Sequence, residues 1–233
     1  MKGVILAGGT GSRLYPNTKV TNKHLLPVYN KPMVQYPIET LKRSGIRDIL
    51  IVTGSDNAGD FMKLLGSGID YGVHFTYRVQ DGAGGIAQAL SLAENFAQKE
   101  PLAVILGDNI FEDSFEQEIQ NFKEGAHIFA KEVEDPRRFG VITLDDENRV
   151  TSIVEKPDIP PSKYAQTGFY IYDNKVFDYI KSIEPSIRGE LEITDVNSLY
   201  VKNGSLTASI VPNLWVDAGT HTSLLEASIL SQE

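Results

Sequence analysis

Unbroken apolar runs, not alternating ones, mark the strands of the first hundred residues. GVILA (3–7), DILIVTG (48–54) and LAVILGD (102–108) each string four or more apolar residues together. That pattern belongs to strands covered on both faces. Between them MVQYPIETLKRSG (33–45), AGDFMKLLGSG (58–68) and GIAQALSLAENFAQ (85–98) repeat apolar positions at helical spacing, with Gly45 as the C-cap of the first. VHFTYRV (73–79) adds another strand. The rhythm predicts βαβ units and an α/β fold: a Rossmann-like mixed, mostly parallel sheet with helices on both faces. Ligands in such sheets bind outside the carboxyl ends of the strands. Gly8, Thr53, Gln80 and Asp108 all follow strand ends and are expected to converge on one cleft.

From about residue 126 the chain becomes richer in strands: HIFAKEV, FGVITL, VTSIVEK and QTGFYIYD, with DDENR (145–149) reading as a hairpin turn. Helices are expected near 174–183 and 191–202, then the strand SLTASIV, then a last helix from about 220. No repeat, low-complexity tract or Pro/Gly-rich linker interrupts this order. The expectation is one domain over 1–233, with a first half to about 125 and a β-rich half from about 126.

Composition narrows the classes. The 233 residues are 41% hydrophobic and 23% charged, within the ordinary globular range. Without cysteine there is no disulfide framework, thiol nucleophile or Cys-based zinc site. The N-terminus reads as a strand, not a signal peptide, and no apolar run approaches the roughly 18 residues of a membrane span. A soluble, cytoplasmic protein with no membrane partner is the expectation. A net charge of −9 argues against a nucleic-acid partner. The charge is uneven, however. Residues 1–38 hold Lys2, Arg13, Lys19, Lys23 and Lys31 and no acid, so this segment is +5 and the remainder −14. A positive funnel for a polyphosphate is expected there.

The same segment carries the glycine turn KGVILAGGTGSRLYPNTK (2–19). Glycines after a buried strand let backbone N–H groups approach an anion closely. Two well-known phosphate loops fail the spacing. A P-loop ends in Gly-Lys-Ser/Thr, where this chain has Gly11, Ser12 and Arg13. The dinucleotide fingerprint would need a third glycine at Leu14 and an acidic residue near VYNKP, and neither is present.

LAGGTGSRLYPNTKVTNKHLLPVYNKPM resembles the opening of the sugar-phosphate nucleotidyltransferases, and LGDNIF, VEKP, TGFYIYD, RGELEITD and WVDAGTH continue the match to residue 221. The resemblance covers nearly the whole chain. It implies Mg2+-dependent transfer of dTMP from dTTP to glucose 1-phosphate, with the first half facing the nucleotide and the second the sugar. UTP or CTP, or another sugar 1-phosphate, are the near alternatives. A non-catalytic regulator that binds sugar nucleotides is the distant one, disfavoured because Arg13, Lys23, Asp108, Lys156 and Asp217 are all present.

Joining two anionic phosphates calls for positioning and charge neutralisation rather than a covalent nucleophile. Arg13 offers phosphate oxygens a planar fork that lysine lacks. By resemblance it grips the triphosphate, with Lys23 beside it, and Lys156 acts on the sugar phosphate. The nucleotide set implied is Leu6, Gly8, Gly9, Thr10, Gly11, Ser12, Arg13, Lys23, His24, Gln80 and Gly85. Gln80 can pair an amide-like base edge through both its carbonyl and its NH2. The sugar-phosphate set implied is Asn109, Gly140, Glu155, Lys156, Thr167, Tyr170 and Arg188. Asp108 and Asp217, each after an apolar run, are the implied Mg2+ ligands. Tyr29, Tyr36 and Phe75 read as core or surface aromatics, and ELEITD (190–195) as structural or capping. Longer members carry glutamine where His24 stands and valine at Gln166. They also continue into a C-terminal helical segment with subunit contacts and a second nucleotide site. An active monomer or small homo-oligomer without that remote site is therefore expected.

Overall fold

Val4 and Leu6 pack on one side of the first strand and Ile5 and Ala7 on the other, and all four are buried. The computed structural model describes residues 1–146 and 149–232. In chain order its first part comprises β1 (Lys2–Ala7), β2 (Pro27–Val28), β3 (Lys31–Pro32), α1 (Gln35–Arg43), β4 (Asp48–Gly54), α2 (Ala58–Leu65) and β5 (His74–Gln80). There follow α3 (Ile86–Ser91), α4 (Glu94–Ala97), β6 (Leu102–Leu106), β7 (Asn109–Phe111), α5 (Glu116–Asn121), β8 (Ala126–Glu132), β9 (Gly140–Leu144) and β10 (Val150–Glu155). The last part is β11 (Tyr164–Tyr172), α6 (Lys175–Ser182), α7 (Ile193–Lys202), β12 (Leu206–Ile210), β13 (Trp215–Asp217) and α8 (His221–Leu230).

Nine strands form one mixed sheet whose main path runs β10-β9-β11-β6-β1-β4-β5, with β8 on β11 and β12 on β8. β6, β1, β4 and β5 are parallel, in the register Leu6↔Leu106 and Leu6↔Val52. The long β11 reverses the direction against β6, β8 and β9. Alternate residues of the central strands feed two separate cores. Val4, Leu50, Val104 and Tyr172 belong to one, and Ile5, Ile51, Ile105 and Phe169 to the other. Each fully buried aliphatic side chain contributes about 1.5–3 kcal/mol, so both faces drive the sheet to close. A third, smaller cluster of Val28, Met33, Ile110, Val216 and Ala227 seats α8 against the β7–β13 ribbon.

Three expectations are corrected. The helix foreseen over 85–98 is two helices, α3 and α4, because Ser91 Oγ donates back to the Gln88 carbonyl at 2.7 Å and competes with the ladder. The β7–β13 ribbon has three residues per strand, and no such pair was foreseen for these segments. Thr53 does not emerge at a strand end: it lies inside β4 and is fully buried. The middle of the DDENR turn lies outside the described residues, while Arg149 N still donates to Asp145 Oδ1 at 2.9 Å.

Candidate active site

The carboxyl ends of β1, β5 and β6 open onto a cleft of about 560 Å3. Its near wall is the loop after β1. Gly8 packs so closely against Gln80 that a Cβ there would collide with Gln80 Oε1. Gly11 has φ +66 and a Cβ there would lie 2.8 Å from Thr18 Cγ2, so the turn requires glycine. Gly11 shapes the turn without lining the cleft; Gly8, Gly9, Thr10, Ser12 and the exposed Arg13 line it together with Leu6.

Lys23 and His24 follow in a one-turn helix capped by Asn22. Asn22 Oδ1 takes the His24 backbone N–H at 2.9 Å and lies 2.7 Å from His24 Nδ1, while Asn22 Nδ2 donates to the Ala7 carbonyl at 3.3 Å. This buried asparagine therefore ties Lys23 to the end of β1. Burial and the Lys23 charge push the His24 imidazole down to about 3, so it is neutral, and it packs against Gly107, where a Cβ would lie 2.6 Å from its ring. The Lys23 ammonium is ion-paired with Asp108 Oδ2, and both side chains are largely buried.

The β7–β13 ribbon brings the two aspartates together. Asp217 is in register with Asn109, and the Ala218 N–H donates to the Asp108 carbonyl at 2.9 Å. Thr220 and Ser223 form a reciprocal cap at the start of α8 that fixes the chain just beyond Asp217. Burial opposes ionisation of Asp108, but Lys23 and a 3.1 Å bond from Asn109 Nδ2 hold its carboxyl well below the usual range. Asp217 is pushed the other way, by burial and by the Asp108 charge, against the attraction of Lys23 and Arg13. The two carboxylates thus share one paired ammonium, that of Lys23. Among the described residues no third His, Cys, Asp or Glu gathers with it. Two carboxylates with no further protein ligand suit Mg2+, which takes the rest of its octahedron from phosphate oxygens and water.

The far wall is a side-chain network. Glu155 Oε2 accepts from Thr194 Oγ1 at 2.5 Å, and its Oε1 accepts from Lys156 Nζ at 2.6 Å and Arg188 Nη2 at 3.4 Å. Arg188 also reaches Glu192 Oε1 at 2.8 Å. Lys156 has φ +42, a conformation L-residues rarely adopt. Gly140 leaves room for this cluster: a Cβ there would lie 3.3 Å from Thr194 Oγ1. Thr167, Tyr170 and Gln166 form the floor. Thr167 Oγ1 donates to the Phe129 carbonyl at 2.9 Å, and burial pushes the Tyr170 phenol well up.

All the residues expected from sequence at the site except Gly11 and Thr53 therefore line one cleft. Four expectations change in detail. Of the five basic residues of the N-terminal segment only Arg13 and Lys23 face it; Lys2 pairs with Glu100 and Lys31 with Glu39, so the funnel is two charges deep. Asn109 Oδ1 already accepts from Gly168 N at 2.9 Å and Trp215 Nε1 at 2.7 Å, and one hydrogen of its Nδ2 goes to Asp108, so its side chain braces Asp108 and faces the cleft with its oxygen engaged. Gln80 does not offer both ends of its amide, because Nε2 already donates to the Gly85 carbonyl at 3.3 Å and to Gln88 Oε1 at 2.6 Å. Glu190, read as structural, lines the cleft, while Glu192 stands at the N-cap position of α7 with no side-chain cap bond, its carboxylate accepting from Ser186 Oγ and Arg188 Nη2 instead. Sequence reasoning missed Arg138, Phe139 and Thr194; only Thr194, inside RGELEITD, lay within a recognised motif. Tyr29, Tyr36 and Phe75 stay outside the cleft.

The chain belongs to the family described as nucleotidyl transferase, whose profile matches residues 2–233. It is 46% identical to a glucose-1-phosphate thymidylyltransferase of Neisseria meningitidis, covering 100% of this chain and 83% of the relative. A Mycolicibacterium smegmatis glucose-1-phosphate thymidylyltransferase is 43% identical, covering 98% of this chain and 81% of the relative. Among solved structures, a Bacillus anthracis protein described as a glucose-1-phosphate thymidylyltransferase in complex with a sucrose superposes with a TM-score of 0.95. It is 55% identical, covering 100% of this chain and 96% of that one. A UDP-glucose pyrophosphorylase complexed with UDP-glucose reaches a TM-score of 0.87 at 28% identity, covering 98% and 97% of the two chains. Among the described residues no helix is long and apolar enough to cross a membrane.

Proposed function

We propose that this chain transfers dTMP from dTTP to glucose 1-phosphate, giving dTDP-glucose and pyrophosphate, with Mg2+ as cofactor. The observation that carries the reading is the order of groups across the cleft. Arg13 and Lys23 stand by the glycine loop, Asp108 and Asp217 in the middle, and Lys156 and Arg188 beyond. Relatives similar over the whole chain bear the name of that activity.

An oxygen of the sugar phosphate attacks the α-phosphorus, forming one P–O bond. The bond to the bridging oxygen breaks, and its electron pair leaves with pyrophosphate. Arg13 spreads a bidentate positive fork over the departing phosphates, and Lys23 exchanges its Asp108 partner for the incoming triphosphate. Lys156 and Arg188 turn from Glu155 to the sugar phosphate, which frees Glu155 to accept sugar hydroxyls. Tyr170 and Thr167 shape the floor beneath the ring. Glycines at 8 and 9 let the nucleotide approach the backbone. Enzymes of this family generally use a divalent metal. Asp108 and Asp217 would hold Mg2+, which when bound neutralises phosphate oxygen charge.

The test is turnover by purified protein with Mg2+, pairing each nucleoside triphosphate with each sugar 1-phosphate and reading released pyrophosphate. The dTTP and glucose 1-phosphate pair is expected to give the highest kcat/KM. Turnover confined to another pair, or binding without turnover, would overturn the proposal. UTP is the alternative nucleotide that the likeness to the UDP-glucose-bound enzyme supports.

A further inference from the structure

Gln80 ends β5 and is 6% exposed. The carbonyl of Gly85 can only accept, so the Gln80 amide atom 3.3 Å from it must be Nε2. The remaining Nε2 hydrogen goes to Gln88 Oε1 at 2.6 Å, from the first turn of α3. Gln88 lies over Gly84, where a Cβ would be 2.7 Å from its Cδ, so this position of the side chain needs glycine beneath it. Both hydrogens of the Gln80 NH2 are therefore spent inside the protein. Its Oε1 is left over Gly8, with no donor among the described residues. No buried side-chain nitrogen or oxygen among the described residues lacks a partner, so this oxygen is one that reaches the open cleft.

We infer that Gln88 is a positioning residue for base selection: it locks the Gln80 amide so that only an acceptor faces the cleft. This rests on the proposal that the cleft takes a pyrimidine nucleotide. Thymine and uracil present an N3–H to that oxygen, whereas cytosine presents a bare N3 lone pair and meets acceptor with acceptor. Cytosine can satisfy the oxygen only through its 4-amino group, displaced by one ring position. Without Gln88 the amide loses one of the two bonds that fix its orientation, and it can turn its NH2 toward a cytosine. The lock thus acts by excluding a competitor as much as by binding the right base.

The experiment measures kcat and KM for dTTP and dCTP with glucose 1-phosphate, in the parent, Gln88→Leu and Gln88→Glu. The parent is expected to prefer dTTP by at least ~10²-fold in kcat/KM, because a site built around one hydrogen bond rejects the analogue lacking it. Gln88→Leu is expected to cut that preference by about tenfold, the scale of one lost hydrogen bond to a specificity group, with the loss falling on KM for dTTP. Gln88→Glu keeps an acceptor at the same place and is expected to keep the preference. An unchanged dTTP:dCTP ratio in Gln88→Leu overturns the inference and leaves the base reading standing. A parent that does not prefer dTTP overturns the base reading, and the inference falls with it. The side-chain amide of Gln80 gives a check that needs no variant to fold. In the parent both NH2 protons must exchange slowly with solvent by NMR, and a freely exchanging pair contradicts the lock.

Discussion

The two ends of the cleft are built from different materials. At the glycine-loop end the wall is backbone, made of Gly8, Gly9 and Thr10, and the cation Arg13 stands exposed at its edge. At the far end the wall is side chains, and its cations arrive already engaged. Lys156 is on Glu155, and Arg188 is shared among Glu155, Glu190 and Glu192. An open cation gains its full charge-assisted bond only when phosphate arrives, which suits stabilisation of a leaving group. An engaged cation must trade partners, so its gain on binding is smaller, but its geometry is set beforehand. The first end is suited to rate, the second to recognition.

The largest expected effect falls on the open end. Arg13→Ala is expected to lower kcat by about 10²–10³, the cost of removing one charge-assisted donor to a transition state, with little change in KM for glucose 1-phosphate. Arg13→Lys should recover little, because the fork is lost. A near-parental kcat in Arg13→Ala would erase the distinction between the two ends.

Between the ends, Asp108→Asn and Asp217→Asn keep shape and remove charge. Each is expected to raise the Mg2+ concentration for half-maximal turnover by at least ~10–100-fold, since loss of even an outer partner of a metal ligand costs that much. A metal titration unmoved by either change would remove that residue from the metal site.

At the far end Thr194→Val removes the donor to Glu155 Oε2. KM for glucose 1-phosphate is expected to rise about 3–10-fold, the scale of one hydrogen bond, while KM for dTTP stays put. Equal shifts in both would mean that the network serves stability and not the sugar.

The smallest effect is a pH dependence. Burial pushes His127, bonded to Thr207 and Ser209 across β8 and β12, from 6.5 down to about 4. Between those values the unfolded chain binds a proton that the folded one refuses. Stability is therefore complete above about pH 6.5 and falls as pH drops toward about 4. His127→Gln should flatten that decline in urea unfolding followed from about pH 7 to about 4.5. An unaltered slope would assign the acid limb to other groups.

Legibility in the sequence follows the same division. The open end was readable because glycines, one arginine and unbroken apolar strands are local signals, each set by neighbours within a few residues. Asp108 was readable as the residue after LAVILG. The far end was readable only through motif resemblance, and there incompletely. Arg138 and Phe139 lie in the turn just before β9, where the Phe139 carbonyl accepts from Lys156 N at 3.0 Å, a non-local fact that no spacing encodes. The β7–β13 ribbon likewise joins residues about a hundred positions apart, so the engagement of the Asn109 oxygen with Gly168 and Trp215 was not legible in the sequence. Gln80 was identified as a site residue, but which end of its amide is free depends on Gln88 and Gly85, settled by packing alone.

Passage of a nucleotidyl group from one anion to another across this cleft is read from the fate of label. With dTTP labelled at the α-phosphorus, glucose 1-phosphate and Mg2+, label is expected to enter the sugar nucleotide. Label at the γ-phosphorus should leave as pyrophosphate, and neither event should occur without the sugar phosphate. Release of pyrophosphate or phosphate from dTTP alone at the same rate, or α-label that never joins the sugar, would contradict it.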